Sequence, residues 1–328
     1  MLKSFKDKIQ LVDKNTFNKT ATDLFFYQVR QNPIYREFIT YLGIDYNEIK
    51  EIQQIPFLPI SLFKHKIIKT GDWNEQKIFE SSGTTGKEIS RHYIEDILYY
   101  QIISSVNFRF FYGDPESYII LALLPSYLER RQSSLVYMID HLIKLTCSED
   151  SGFYLHDMEA LILKLQKLKA RSQRKIIILG VTFALLDLAE KYKEDLSDVI
   201  IMETGGMKGR REEIIRREVH EILQSSFNVK RIHSEYGMTE LMSQAYSSGN
   251  GLFRSPPWMK IFIREINDPL TIQKGPSFGA INIIDLANIH SCAFIATEDL
   301  GKINEDESFE ILGRLDNSDT RGCNLLLN

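Results

Sequence analysis

The middle of the chain alternates short apolar runs, rich in β-branched residues, with amphipathic stretches. This alternation limits the possible folds more than any other feature of the sequence. The apolar runs begin at Tyr118 (YIILALL), Lys175 (KIIILG) and Asp198 (DVIIMETGG). Stretches with helical periodicity follow them, from about Ser133, directly after the second run, and from Arg210 to Leu223. The pattern predicts an α/β fold in which helices cover a parallel sheet and functional loops lie at the carboxyl ends of the strands.

The two ends of the chain differ from this middle part. Up to about Lys50, apolar residues at helical spacing, interrupted by Pro33, predict two or three short helices. The proline-containing segment from Ile55 to Thr70 predicts an extended connector. From about Phe253, strand-like runs alternate with turn residues. We therefore predict a body over 1–252 and a small β-rich subdomain over 253–328.

Composition excludes several classes of protein. The 328 residues contain 40 Lys+Arg and 44 Asp+Glu, a formal net charge of −4, and 43% are hydrophobic. These values disfavour a disordered chain and a basic protein that coats nucleic acid. We find no export signal and no membrane span. The three cysteines, Cys147, Cys292 and Cys323, are few and widely spaced, which predicts a reduced, cytoplasmic setting; we expect Cys147 and Cys292 to be structural, in apolar surroundings.

The segment SSGTTG, from Ser81 to Gly86, concentrates hydroxyl groups and glycines directly after the apolar run KIFE. Exposed backbone N–H groups and hydroxyls of this kind can hold an anion. The segment is not a Walker A loop, because Gly83 and Gly86 enclose only two residues. A plain Ser/Thr turn is the alternative interpretation of this segment taken alone.

Two further segments lie where loops should follow strands. SEYGMTE, from Ser234 to Glu240, combines an aromatic ring, a hydroxyl and a carboxylate after the strand-like KRIHS. A ring can stack on a purine, a hydroxyl can bind phosphate, and a carboxylate can hold Mg²⁺. TGG, from Thr204 to Gly206, ends the run that begins at Asp198. Each segment alone is also compatible with an ordinary loop or helix start.

The last two segments lie in the β-rich end. They are TEDLG, from Thr297 to Gly301, and GRLDNSDTRGCN, from Gly313 to Asn324. Asp299 can accept hydrogen bonds from a pair of ribose hydroxyls, and Arg314 can bind a phosphate or a ribose oxygen. Each of these segments alone would be interpreted as a turn.

Taken in order, SSGTTG, TGG, YGMTE, TED and GRxDxxxxRG form the series typical of the adenylate-forming enzymes, the superfamily of acyl-CoA synthetases, luciferases and adenylation domains. Within it the chain resembles most the acyl-protein synthetases of bacterial bioluminescence fatty-acid reductase complexes, with the phenylacetate-CoA ligases as neighbours. The resemblance runs from about Phe57 to the end. It implies the large-domain fold of these enzymes, with layered parallel sheets, flanking helices and a C-terminal β-rich subdomain.

The resemblance also implies roles for individual residues. The loop over the β- and γ-phosphates of ATP would consist of Ser82, Gly83, Thr84, Thr85 and Gly86. Gly205 and Gly206 would line the adenine site, Tyr236 would stack on adenine, and Gly237 would lie beside the nucleotide. Thr239 would meet the α-phosphate, Glu240 would bind Mg²⁺, and Asp299 and Arg314 would hold the ribose hydroxyls. ATP and Mg²⁺ are thus the expected cofactors.

Two departures from the family pattern affect these expectations. Glu88 and Ile89 replace the usual Pro and Lys, which leaves Lys87 or Arg91 to substitute for the loop lysine. The mobile C-terminal domain of the family has no counterpart, so a standard CoA ligase cycle is not expected. His92, beside Arg91, is either a group that contacts the acyl or phosphate end, and so a candidate for catalysis, or a structural histidine.

Cys323 stands where the acyl-protein synthetases carry the cysteine that receives the acyl group. The resemblance therefore implies that the chain adenylates a carboxylic acid, expected to be a fatty acid, and transfers the acyl group to its own Cys323 as a thioester. By analogy, its partner is an acyl reductase, an acyltransferase or an acyl carrier. The alternatives are a ligase that uses CoA or an amine, with Cys323 as a buried small residue, and an inactive nucleotide-binding partner.

Overall fold

The computed structural model describes residues 5–6, 8–82, 88–126, 128–205 and 214–315. Eight α-helices are numbered in chain order within these ranges. They are α1 (Phe17–Gln31), α2 (Pro33–Tyr41), α3 (Leu62–His65), α4 (Ile97–Tyr112), α5 (Ser134–Leu145), α6 (Met158–Arg171), α7 (Thr182–Lys191) and α8 (Arg216–Phe227). None of the helices in this part of the chain has both the length and the apolar character needed to cross a membrane.

Fourteen strands complete the described part of the chain. They are β1 (Leu58–Pro59), β2 (Lys77–Glu80), β3 (Arg91–Ile94), β4 (Tyr118–Leu123), β5 (Gly152–Phe153), β6 (Lys175–Val181), β7 (Val199–Thr204), β8 (His233–Tyr236), β9 (Ala245–Ser247), β10 (Phe253–Arg254), β11 (Met259–Arg264), β12 (Ser277–Asp285), β13 (Phe294–Ile303) and β14 (Phe309–Arg314). Four short 3-10 helices lie between them, at Ile9–Leu11, Tyr46–Glu48, Ile52–Gln54 and Pro115–Ser117.

Twelve of the strands form one sheet, in the order β11-β12-β13-β14-β10-β9-β8-β7-β6-β4-β5, with β1 joined to β13. The pairs among β5, β4, β6, β7 and β8 are parallel, and those from β8 through β9 to β11 are antiparallel. The strands β2 and β3 form a separate antiparallel hairpin. The predicted α/β class with a parallel sheet and flanking helices is confirmed.

The three apolar runs form the centre of the parallel sheet. Every residue of β4 is buried, and all residues of β6 except Lys175 are buried. Continuous burial on both faces explains why these strands lack polar alternation, since helices cover a parallel sheet on each side. The predicted strands at Tyr118, Lys175 and Asp198 are confirmed within one residue.

The helix predicted from Arg210 to Leu223 differs in its bounds. Residues 210–213 lie outside the described part, and Ile215 is extended, so α8 begins at Arg216. The helix continues to Phe227 and ends where Asn228 takes a left-handed conformation with φ 52°. Asparagine tolerates this conformation and commonly ends helices in this way.

The N-terminal region contains the predicted short helices. Asn32 separates α1 from α2, because its side chain accepts a hydrogen bond from the backbone N–H of Tyr35 at 3.0 Å and caps α2. Pro33 occupies the first helical position, where a missing N–H costs nothing. The proline-containing connector is extended at Ile55 and Lys66 and pairs as a strand at β1, and between them lies the four-residue helix α3, which was not predicted from the sequence.

The β-rich end is continuous with the rest of the sheet. β9 pairs with β10, and β10 pairs with β14, so hydrogen bonds run across the boundary predicted at residue 253. The division into 1–252 and 253–328 stays a prediction. The described residues after 253 do form strands β10 to β14, as the alternating pattern indicated.

Helix α1 is attached to the segment between β12 and β13 by a buried glutamine. Gln28 donates to the carbonyl oxygens of Asn288 at 2.9 Å and Ile289 at 3.0 Å, and accepts from the N–H of Ala293 at 2.9 Å. Asn32 donates to the carbonyl of Ser291 at 3.1 Å. The helix therefore satisfies main-chain groups that would otherwise be buried without partners.

Gln28→Leu should lower the free energy of unfolding by about 3 kcal/mol, because the main-chain groups of the 288–293 segment would stay buried and unpaired. Gln31→Leu, an exposed position on the same helix, should change it by less than about 0.5 kcal/mol. Urea denaturation of both variants measures the difference. Equal effects would show that the bonds of Gln28 do not stabilise the fold.

Candidate active site

Two of the predicted segments meet at the carboxyl edge of the parallel sheet. β7 ends at Thr204 and β8 at Tyr236, and the register of the two parallel strands pairs Thr204 with Glu235. Gly205 follows β7, and apart from its neighbours in the chain no atom of the described residues lies within 4 Å of the position where its Cβ would stand. The described part of the chain therefore leaves space at the end of β7. Gly206 lies outside the described residues.

Tyr236 joins the predicted adenine and ribose residues. Its hydroxyl donates a hydrogen bond to Oδ2 of Asp299 at 2.7 Å, and its buried ring packs against Phe253 and Phe309 with centroids 5.9 and 6.0 Å away. Burial and the neighbouring Asp299 raise the pKa of Tyr236 well above its usual value, so the hydroxyl keeps its proton. The structure thus brings Tyr236 and Asp299 into direct contact.

Asp299 also faces Arg314. The two residues are cross-strand partners in β13 and β14, and Nε of Arg314 lies 3.5 Å from Oδ1 of Asp299. The sequence alone suggested a turn for the TED segment, whereas it lies in the ten-residue strand β13. Likewise, β8 begins at His233 and not near Lys230, so Ser234 to Tyr236 belong to the strand rather than to a loop after it.

A buried histidine connects the β2–β3 hairpin to the segment after β8. Nδ1 of His92 lies 2.8 Å from the carbonyl oxygen of Thr239, and Nε2 lies 3.1 Å from Oδ1 of Asn288. The amide of Asn288 donates to the carbonyls of Glu240 at 2.8 Å and Cys292 at 2.9 Å, which fixes its orientation. Thr239 and Glu240 are therefore held through their main chain.

The two partners of the His92 ring are both oxygen acceptors, since the amide nitrogen of Asn288 donates to Glu240 and Cys292. Each contact therefore needs a proton on the ring nitrogen that faces it. Burial lowers the pKa of His92 to about 4, although its two hydrogen bonds favour the charged ring. At neutral pH the ring is therefore neutral and carries one proton, so it donates to one of the two oxygens.

Glu240 is the carboxylate of the YGMTE segment and is buried. Burial raises the pKa of Glu240, while a hydrogen bond from Ser90 and the positive charges of Arg314 and Lys64 act in the opposite direction. Within the described ranges no group of three or more His, Cys, Asp or Glu side chains could hold a metal ion. A single carboxylate fits Mg²⁺ nevertheless, since this ion is commonly bound by one or two carboxylates together with substrate phosphates.

Asp285 fixes the chain just beyond Glu240. Its carboxylate accepts hydrogen bonds from the N–H groups of Met242 and Ser243, both at 2.9 Å, and from the hydroxyl of Ser243 at 2.8 Å. Trp258 donates to the same hydroxyl at 2.9 Å. Asp285 and Asn288 were not predicted from the sequence, because neither lies in a segment that resembles a motif.

Two buried carboxyl groups flank Thr204, and the sequence analysis missed both. Glu203 accepts from Nε of Arg216 at 2.9 Å and from Thr182 at 3.2 Å. Burial pushes the pKa of Glu203 upward, but the hydrogen bond from His220 and the charge of Arg216 outweigh it and hold the pKa below its usual value. Glu235 accepts from the hydroxyl of Thr204. Each is a charged residue in an otherwise strand-like run, which is the signal that could have revealed them.

The hairpin β2–β3 carries the SSGTTG segment between its strands. Ser81 and Ser90 close it, since Ser81 N–H donates to the carbonyl of Ser90 at 3.1 Å and Ser90 N–H to Oγ of Ser81 at 3.0 Å. Ser82 is exposed, and Nε of Arg91 forms an ion pair with Glu80 at 3.2 Å. The predicted loop residues Gly83, Thr84, Thr85 and Gly86, together with Lys87, lie outside the described residues.

The cysteines differ in their surroundings. Cys292 is buried between β12 and β13, and burial raises the pKa of its thiol to about 12, as suits the predicted structural role. Cys147 is exposed in the turn after α5, with φ 50°, so the predicted apolar surroundings were wrong for this residue. The helix ends at Leu145, Thr146 after it is buried, and Cys147 follows at the surface. Cys323 lies outside the described residues.

The geometry fits a nucleotide. The end of β7 at Gly205, the aromatic ring of Tyr236 at the end of β8 and the pair Asp299 and Arg314 lie close together. The buried carboxyl of Glu240 lies four residues beyond Tyr236. Ligands commonly bind outside the carboxyl ends of the strands in open α/β sheets.

Solved structures with this fold are adenylate-forming ligases. A 2-hydroxyisobutyryl-CoA ligase in complex with 2-HIB-AMP and CoA has a TM-score of 0.65 at 13% identity, over 93% of this chain and 68% of that one. ATP-bound MatB from Rhodopseudomonas palustris has a TM-score of 0.54 at 16% identity, over 72% of this chain. The match spans about half of the MatB chain, 47%. The predicted large-domain fold of this class is confirmed.

Two curated relatives are similar to this chain over nearly its whole length, and both are named as fatty-acid ligases. The chain is 25% identical over 341 residues to a long-chain-fatty-acid–luciferin-component ligase of Vibrio harveyi, covering 95% of this chain and 87% of the relative. It is 24% identical over 350 residues to the ligase of the same name from Aliivibrio fischeri, covering 98% and 89%. No protein-family model matches the chain. The predicted resemblance to the ligases of bioluminescence systems is confirmed.

Gly237→Ala should destabilise the protein by about 1–3 kcal/mol, because a Cβ there would stand 2.6 Å from Oε1 of Glu235 and 3.1 Å from Cγ of Gln244. Gly205→Ala, at the other end of the same site, should change the free energy of unfolding by less than about 0.5 kcal/mol, since its Cβ meets open space. Thermal unfolding monitored by circular dichroism compares the two. A larger loss for Gly205→Ala would contradict the open space at the end of β7.

Proposed function

We propose that the chain is an AMP-forming ligase that activates a long-chain fatty acid with ATP. The observation that carries this proposal is the direct contact of Tyr236 with Asp299 beside Arg314, at the sheet edge where Glu240 is held. The names of the curated relatives support the ligase activity and the fatty-acid substrate. The ATP-bound and adenylate-bound neighbours of the same fold support the nucleotide.

The first step joins the acid to AMP. A carboxylate oxygen of the fatty acid attacks the α-phosphorus of ATP, and the bond from that phosphorus to the bridging oxygen of pyrophosphate breaks. Two anions must approach each other and charge builds on the leaving group, so bound cations and N–H donors lower the barrier. Mg²⁺, when bound, would neutralise part of this charge.

The described residues have distinct tasks in this step. Tyr236 holds adenine by stacking, and Asp299 with Arg314 binds the ribose hydroxyls. Glu240 supplies the carboxylate for Mg²⁺, and Thr239 meets the α-phosphate. His92 supports Thr239 through the 2.8 Å contact with its carbonyl oxygen, so we assign His92 to positioning rather than to contact with the substrate.

We propose thioester formation on Cys323 as the second step. The thiolate sulfur attacks the acyl carbon of the acyl-adenylate, the bond from that carbon to the phosphate oxygen breaks, and AMP leaves with the bonding electrons. The thiol proton passes to solvent, which balances the step. An acyl reductase, acyltransferase or acyl carrier would then take the acyl group, and a cytoplasmic setting suits a free thiol.

Glu240→Gln should reduce the rate of ATP–pyrophosphate exchange with long-chain fatty acids by at least about a hundredfold, because the neutral amide cannot hold Mg²⁺ in place. Glu221→Gln, at an exposed carboxylate of α8, should leave the exchange rate unchanged. Exchange is measured with radiolabelled pyrophosphate over a series of acids. Absence of exchange with every acid in the wild-type protein would refute the proposed activity.

Cys323→Ser should abolish the gain of one acyl mass that the wild-type protein shows after incubation with ATP, Mg²⁺ and a fatty acid. Intact-protein mass spectrometry before and after hydroxylamine, which cleaves thioesters, measures this gain. Cys147→Ser removes the exposed cysteine and should leave the gain intact. AMP release without any covalent gain, in a mixture that also contains CoA or an amine, would instead indicate transfer to that acceptor.

A further inference from the structure

Glu235 is a fully buried carboxyl group at the site that the proposed reaction does not use. It is the penultimate residue of β8, directly before Tyr236. One of its oxygens, Oε2, accepts a hydrogen bond from the hydroxyl of Thr204, the last residue of β7. Its side chain therefore joins the two strand ends from which Gly205 and Gly237 continue.

The second oxygen of Glu235 lies against the turn at Gly237. Oε1 would be 2.6 Å from a Cβ at position 237, and Cγ of Gln244 would be 3.1 Å from the same atom. The two side chains thus converge on one glycine. Oε1 of Gln244 is buried and has no hydrogen-bond partner among the described residues.

The surroundings of Glu235 provide no positive charge in the described part of the chain. Glu203, on the neighbouring strand, is the charged group that acts on it, and it disfavours ionisation. Three tyrosines face Glu235, and its negative charge raises the pKa of each. They are Tyr100 and Tyr112 of α4 and Tyr246 of β9, the cross-strand partner of Glu235. His233, two residues back on β8, pairs with the hydroxyl of Tyr112 at 3.0 Å, and burial lowers the pKa of His233 to about 4, so it is neutral.

The carboxyl group of Glu235 is buried, and within the described residues the charged group that acts on it is another carboxylate, Glu203. An ionised Glu235 would place a buried negative charge next to the strand that carries Glu203. A protonated Glu235 removes the charge and supplies a donor while Oε2 still accepts from Thr204. The arrangement therefore favours the neutral acid.

We infer that Glu235, as a neutral carboxylic acid, is a positioning residue that holds the end of β7 and the turn at Gly237 in the arrangement that binds ATP. The choice of ATP as the ligand rests on the proposed function, whereas the role of Glu235 in holding the two strand ends does not. Ionisation would introduce a buried charge between the two strand ends and push them apart. Nucleotide affinity would then fall as the carboxyl group loses its proton.

The pH range follows from the burial of the group. Burial raises the pKa of Glu235 to about 7, and the bond from Thr204 only partly opposes this. Because the folded protein holds the proton more tightly than the unfolded chain, the stability linked to this group is complete below the ordinary pKa of glutamic acid. It is lost as the pH rises through about 7.

Glu235→Gln tests the inference, because glutamine keeps the shape and a donor but cannot ionise. The dissociation constant of ATP in the presence of Mg²⁺ is measured by calorimetry at pH 6.0 and 8.5 for the wild type and the variant. We expect it to rise about tenfold in the wild type and less than about twofold in Glu235→Gln. The ionisation of ATP itself is common to both proteins. An equal rise in both, or no rise in the wild type, would overturn the inference.

A second measurement separates this inference from the proposed function. Hydrogen exchange, corrected for its intrinsic pH dependence, is followed in peptides over 199–205 and 234–240 without nucleotide. Exchange should be faster at pH 8.5 than at pH 6.0 in the wild type and in the control Glu221→Gln, and unchanged in Glu235→Gln. Failure of every protein to bind ATP would refute the proposed function, and a pH-independent wild-type exchange would still refute the role of Glu235.

Discussion

The parallel pairing of β7 with β8 is the constraint on which the rest of the site depends. Parallel strands end at the same edge of a sheet, so the residues after Thr204 and after Tyr236 must lie side by side, although more than thirty residues separate them in sequence. The apolar runs of β4, β6 and β7 secure this pairing through burial on both faces. The position of the site follows from the sheet before any individual contact is considered.

The antiparallel half of the sheet supplies the hydrogen-bonding pair Asp299 and Arg314 beside Tyr236. β13 carries Asp299 to the hydroxyl of Tyr236, and β14 places Arg314 opposite Asp299. The end of β12 and the segment after it lie against the chain at Glu240. Asn288 donates to the carbonyl of Glu240, and Asp285 accepts from the N–H of Met242. One sheet therefore contributes strand ends from its parallel half and, from its antiparallel half, an interior residue of β13 and the last residue of β14.

The sequence predicted the class of fold and most residues of the site because both depend on local patterns. Apolar runs mark buried parallel strands, and short segments such as YGMTE and TED carry the residue types that nucleotide chemistry needs. The contacts that hold these segments were not predictable in the same way. Gln28, Asn288 and Asp285 act through main-chain groups far away in sequence, and a single polar residue has no periodicity from which its partner could be inferred.

Gln28 and Asn288 also connect the first helix to the site in two steps. Gln28 donates to the carbonyl of Asn288, and the amide of Asn288 donates to the carbonyl of Glu240. The N-terminal helices are therefore part of the support of the Glu240 turn, although they contribute no side chain that approaches a ligand. Removal of the first thirty residues, a common step in the design of shortened expression variants, would take away no strand of the sheet and still loosen the turn that carries Glu240.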